Sequence, residues 1–183
     1  MKSKFIVCSA LACCLTTASI SLPVKAMSAS PSVELAQAAA QMTEGNVQAV
    51  IDQLEAARAN QDVERILDLI APFAVTVVTI KAGSGLSTIT THLEGIYAHQ
   101  RILEQSFRQV QSRESLENYI TIDIIDDNFG IAKIYQMENV ETLEGEAWIA
   151  ASQTVLRLGR VDGQVRITSA TVDGWISARP SER

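Results

Sequence analysis

Histidines are few in this chain, so their spacing carries information. Its two histidines, His92 and His99, stand seven positions apart. On one helix they would share a face yet sit about 10 Å apart along the axis. That is too far for joint ligation of a metal ion, and no His-x-x-x-His or carboxylate–histidine spacing replaces it. His99 alone stands as an acid–base candidate, against the plainer reading of a surface or partly buried helix histidine.

Carboxylates and aromatic residues recur on alternating stretches. Asp123 shares one face of residues 118–125 with Tyr119 and Thr121, while Ile120, Ile122 and Ile124 form the other. If the polar face lined an apolar hollow, Asp123 would be a general base with its pKa raised by the walls. The isoleucine face is the more natural one to bury, which leaves Asp123 in solvent. Tyr135 and Lys133 fall with Phe129, Ile131 and Met137, with Gln136 and Glu138 on the reverse side. Trp148 falls with Ala150, Ser152 and Thr154, and Asp173 and Trp175 with Ser169 and Thr171. Trp175 and Asp173 suit the mouth of a pocket, although a tryptophan is first a large apolar body. Gly83-Ser84-Gly85 lacks the lysine and the strand–helix context of a phosphate loop. No motif asks for a cofactor.

These residues need elements to position them. Val47, Val50, Ile51 and Leu54 repeat at helical period after Asn46, a good N-cap. Val63, Ile66, Leu67 and Ile70 repeat it after Asp62, and Pro72 ends the run. Residues 73–80 are rich in Val and Thr and predict a strand. Thr91 with Glu94 reads as the capping box of a long helix carrying Leu93, Ile96, Tyr97, Leu103, Phe107 and Val110 inward. Strands follow over 118–125, 129–138, 147–158 and 164–175, with turns at Asp126-Asp127-Asn128 and at Asp162-Gly163. Helices first and an antiparallel meander after predict an α+β fold, with helices on one face of the sheet.

The start of the chain reads as a leader. Lys2 and Lys4 precede an uncharged, mostly apolar run over 5–22, and Pro23-Val24-Lys25-Ala26 offers a cleavage site. A membrane anchor is the alternative for a run of this length. A lipoprotein box at Ala10-Leu11-Ala12-Cys13 is another. Cleavage after Ala26 would remove all three cysteines, Cys8, Cys13 and Cys14, and with them any disulfide or thiolate site. It would also leave 12 of the 15 basic residues against 21 acidic ones, a net charge of −9. Such a surface repels phosphate backbones, so nucleic acid is not an expected partner. The expected layout is a leader over 1–26, a linker with a weak helix over 27–45, a domain over 46–178 and a tail over 179–183. An exported chain, periplasmic or secreted and of bacterial style, needs no membrane after cleavage.

From Asn46 to Trp175 the element order resembles the NTF2-like superfamily, with its SnoaL-like and ketosteroid-isomerase-like cone folds. The residues that carry the resemblance are Asp68-Leu69-Ile70-Ala71-Pro72 before the first strand, Thr91-His92-Leu93-Glu94-Gly95-Ile96, Val155-Leu156-Arg157-Leu158, and Asp162-Gly163 before Val165-Arg166-Ile167. The resemblance implies a curved mixed or antiparallel sheet around a helix, a conical pocket, and a homodimer through the outer sheet face. It is nearly silent on activity. Three functions follow as expectations. The leading one is an exported domain binding a small apolar or amphipathic ligand through Tyr97, Tyr135, Trp148 and Trp175, without catalysis. The second is an isomerase, dehydratase or hydrolase with Asp123 or Asp173 as base and Tyr97 or Tyr135 as hydrogen-bond donor. An Asp-Arg-Asp network from Asp123, Arg157 and Asp173, of the limonene-epoxide-hydrolase kind, is a variant of it. The third is a protein-interaction module.

Overall fold

The computed structural model describes residues 41–83 and 87–179. The expected leader, the linker, most of the weak helix that follows it, the centre of the Gly83-Ser84-Gly85 loop and the end of the tail lie outside them. Helix α1 spans Glu44–Ala59 and begins earlier than the Asn46 cap predicts. Thr43 is the N-cap, and its hydroxyl accepts the Asn46 backbone N–H at 3.2 Å. The predicted stripe of Val47, Val50, Ile51 and Leu54 is buried and continues through Ala57 and Arg58. Helix α2, Val63–Asp68, is capped by Asp62, whose carboxylate accepts the Arg65 N–H at 3.0 Å.

Strand β1 spans Ile70–Ala82 and pairs antiparallel with β2, Ser87–Glu94. Here the structure corrects the expectation of a helix starting at Thr91. The β-branched run Ile89-Thr90-Thr91 prefers a pleated surface, and Glu94 makes no side-chain cap. Helix α3, Gly95–Phe107, starts at Gly95, where φ is +70° and the chain turns the corner. Four long strands complete the fold: β3 Val110–Asp126, β4 Phe129–Thr142, β5 Ala147–Val161 and β6 Gln164–Ala178. The β5–β6 hairpin turns on Asp162 and Gly163, both at positive φ (52° and 78°), as this dipeptide predicts.

The sheet order is β2-β1-β6-β5-β4-β3. All neighbours run antiparallel except β1 and β6, which run parallel, so the sheet is mixed. Helix α3 packs on β1 and β2, and α1 packs on β3, β4 and β6. The fold is the expected α+β class, with its helices gathered on one sheet face.

That inner face is not uniformly apolar. Along β4 it reads Ala132, Ile134, Gln136, Glu138, Val140, all buried. Along β5 it reads Leu158, Leu156, Thr154, Ser152, Ala150, all buried as well. The lower residues of each strand belong to one apolar core with α1 and α2, and the upper ones to a second core around Val78, Leu93 and Ile176. Between the two cores lies a polar band.

Candidate functional site

Pairing aligns the band across three strands. Gln136 stands between Asn118 of β3 and Ser152 of β5, and Glu138 between Ser115 and Ala150. Gly174 of β6, opposite Ser152, adds no side chain. A bulge in β3 between Ser115 and Glu117 leaves Leu116 outside the pairing. It lets Asn118, Ser115 and Arg113 all face inward, although strict alternation would turn the last two outward. Helix α1 supplies the facing groups, Arg58 buried on its core stripe and Glu55 half-buried beside it.

Glu138 is the centre of this arrangement and is only 3% exposed. Its Oε1 accepts a hydrogen bond from Gln136 Nε2 at 3.3 Å. Its Oε2 lies 3.9 Å from Arg113 Nη1 and accepts no hydrogen bond. Burial pushes the carboxyl up from the ordinary 4.5 to about 7, against the pull of Arg58 and Arg113, and Glu55 adds to the rise. Burial likewise pushes Glu55 up to about 7. Arg58 opposes that rise, Asp52 adds to it, and a hydrogen bond with the Asn118 side chain opposes it. Two carboxyls thus titrate near neutrality in one field with two permanent cations.

A second polar pair lies toward the β1 side. His99 is buried, with Nδ1 2.7 Å from the Gly95 carbonyl and Nε2 2.8 Å from Thr76 Oγ1. A carbonyl only accepts, so Nδ1 donates to Gly95, while Nε2 pairs with the Thr76 hydroxyl, which can donate or accept. Both residues line an apolar hollow of about 30 Å³ walled by Leu54, Leu103, Leu156 and Val172. This is room for about one water molecule, far below the volume of a site for a drug-sized ligand.

The residues singled out from sequence lie elsewhere. Asp123 is exposed on the outer face and pairs with Lys133 at 3.0 Å. Tyr135 and Tyr119 meet on that same face, with ring centroids 6.1 Å apart. Asp173 and Trp175 are exposed there too, with Lys81 over the Trp175 ring. Tyr97 is 79% exposed on α3. Only Trp148 points to the inner face, half-buried at its upper end beside Val140. Asp123, Asp173, Tyr97 and Tyr135 therefore do not converge, and Arg157 is exposed as well. Strand parity is the reason: burying Ile134 and Leu156 forces their odd-numbered neighbours outward. His92 is exposed on β2, while His99 is more deeply buried than the surface or partly buried helix position expected of it. Among the described residues no group of three or more His, Cys, Asp or Glu is placed to hold a metal ion.

No family model matches the sequence. No curated protein matches it either. Solved structures do match. A type 2 hexachlorocyclohexane dehydrochlorinase superposes with a TM-score of 0.62 at 8% identity, covering 82% of this chain and 95% of its own. A protein provisionally assigned as a scytalone dehydratase, from Novosphingobium aromaticivorans, gives 0.58 at 12% identity, covering 75% and 88%. A ketosteroid-isomerase-like protein from Erwinia carotovora gives 0.56 at 11% identity, covering 73% and 98%. At these identities the likeness is one of fold.

The raised carboxyls make stability depend on pH. A group whose folded pKa exceeds its unfolded value contributes stability present below the unfolded pKa and lost as pH rises through the folded one. For Glu138 the window runs from about 4.5 to about 7, and the loss is at most about 3 kcal/mol. Glu55 is more exposed and contributes less through solvent screening. Urea unfolding at pH 5 and pH 8 should show the full-length chain losing more stability on alkalinisation than Glu138→Gln does. Parallel losses in the two proteins would show that Glu138 is not the source.

Proposed function

From a chain with the NTF2-like cone fold, we propose a protein that takes a small molecule against the polar band and moves a proton on it with the Glu55–Glu138 pair. The observation that carries this reading is a glutamate 3% exposed, facing a second glutamate and two arginines, with a pKa of about 7. A buried set of charges stabilises a fold less well than apolar side chains of similar volume would. Groups poised near the working pH suit proton transfer.

Each residue then has a role that its place supports. Glu138, the deeper carboxyl, holds a proton or gives it up near pH 7, and Glu55, closer to solvent, takes the complementary state. Arg113 and Arg58 offer fixed positive charge to an oxyanion that develops as a carbon acid is deprotonated or a hydroxyl leaves. Gln136 fixes one oxygen of Glu138 and leaves the other for the ligand. Isomerisation or dehydration fits this set, and the matched structures include proteins described as a dehydratase and an isomerase-like protein. The non-catalytic binder uses the same band and differs only in turnover.

Ligand-observed NMR with a fragment library on the full-length chain tests this. Binding fragments should be lost or weakened in Glu138→Gln and kept in the outer-face variant Asp123→Asn. In deuterated water, a carbonyl-bearing hit should gain deuterium at the adjacent carbon, at least 10²-fold more slowly with Glu138→Gln. Fragments that respond to Asp123→Asn and ignore Glu138→Gln would sink the reading. Deuterium exchange absent from every hit would leave the binder.

A second reading is supported by the outer face, where Tyr119, Tyr135, Val75 and Trp175 are exposed side chains of one sheet surface. We propose that a second copy of the chain covers it, as the resemblance implies. Sedimentation should give a dimer that Tyr135→Glu dissociates. A monomer at tens of micromolar contradicts it.

A further inference from the structure

Resting on the reading of this site as a ligand site, we propose that its ligand is a small monocarboxylate that enters together with a proton. The geometry around Glu138 points there. Its Oε2 is buried, accepts no hydrogen bond, and faces Arg113 of β3 at 3.9 Å. From α1, Arg58 and Glu55 act on the same carboxyl, and Asp52 acts on Glu55. Gln136 occupies Oε1. Two guanidiniums from separate elements thus act on one carboxyl, Arg113 on its Oε2, and the planar guanidinium fork matches a carboxylate better than any other common anion except phosphate.

An incoming carboxylate meets two opposing terms. The arginines attract it, and an ionised Glu138 repels it at short range, since two adjacent carboxylates do not both stay charged. A proton on Glu138 removes the repulsion and adds an O–H···O⁻ bond to the ligand, a strong class of hydrogen bond. The proton comes from solvent and forms the one new bond, the O–H of Glu138, and the ligand carboxylate keeps its charge. The buried hydroxyl of Ser152, opposite Gln136, supplies a further donor on the same face. A cation is disfavoured beside two guanidiniums, and a dianionic phosphate is larger and asks for more charge than one proton supplies.

Butyrate and its neutral isostere butyramide test the proposal by isothermal titration calorimetry on the full-length chain. Butyrate should bind, and butyramide should bind at least tenfold more weakly. Because Glu138 titrates near 7, butyrate affinity should fall about tenfold between pH 6 and pH 8. Titration at pH 7.5 in two buffers of different ionisation enthalpy should show net proton uptake. Glu138→Gln, which keeps a weaker donor but cannot titrate, should bind butyrate more weakly than the parent does at pH 6 and with no pH dependence over that range. Arg113→Met should lose binding while its circular dichroism stays that of the parent. If Arg113→Met fails to fold, the Glu138→Gln profile decides. Equal binding of butyrate and butyramide, or butyrate binding that ignores pH, overturns the proposal and leaves the ligand site standing. No butyrate binding at pH 6 also overturns it, and the fragment screen then reports separately on the site.

Discussion

Strand β4 is paired along both edges, to β3 and to β5, and this pairing dictates where every one of its side chains goes. Ile134 and Ala132 bury their bulk against α1 and α2, and Val140 buries its bulk in the second core. With those three turned inward, a period of two sends Gln136 and Glu138 inward as well. Turning Glu138 to solvent would slip the register and expose both cores. The carboxyl is therefore held inside by the burial of its apolar neighbours, and its unusual acidity follows from where it is held.

The surrounding charges reflect the same constraint. A lone ionised glutamate at that depth would cost several kcal/mol. Arg113 and Arg58 offset part of the cost, yet burial still outweighs them and leaves the carboxyl near neutrality. Their placement is demanding. Arg113 reaches the interior only because β3 carries a bulge beside Ser115, and Arg58 only because it sits one turn beyond Leu54 on the packed stripe of α1. The pair of His99 and Thr76 is a contrast, since there both ring nitrogens have partners within an apolar wall. One polar feature is closed on itself, and the other keeps a carboxylate oxygen with no hydrogen bond.

Much of the fold was legible from residue patterns. The amphipathic stripe of α1, the Asp62 start of α2, the alternation of β3 and β4 and the Asp162-Gly163 turn are local signals, and local physics produced the observed elements; α2 ends at Asp68, before the expected stop at Pro72, and Ile70 and Pro72 lie in β1. Strand β2 was not legible, because Thr91 and Glu94 match a helix cap while the strand depends on pairing with β1. The site was harder still. Placing Glu138 opposite Tyr135 was correct as alternation, and burial of the isoleucine face of β3 was expected. Arg113 lay before the stretch taken as a strand, and a bulge broke the parity that would have placed it. Glu55 and Arg58 stand three apart on a helix, a spacing shared by countless solvated ion pairs. The signal that could have found the band was the interruption of two apolar inner faces by Gln136 and Glu138 on one strand and by Ser152 and Thr154 on its neighbour, with Gln136 opposite Ser152.

A cone-shaped sheet hosts many activities, so the fold alone assigns no chemistry here. What separates this chain from a plain apolar cone is one carboxyl held near neutrality by burial. Side-chain carboxyl ¹³C NMR, with the Glu138 resonance assigned by comparison with Glu138→Gln, measures that property directly. The account predicts a titration midpoint near 7 in the full-length chain. A midpoint at the ordinary value near 4.5 would contradict it.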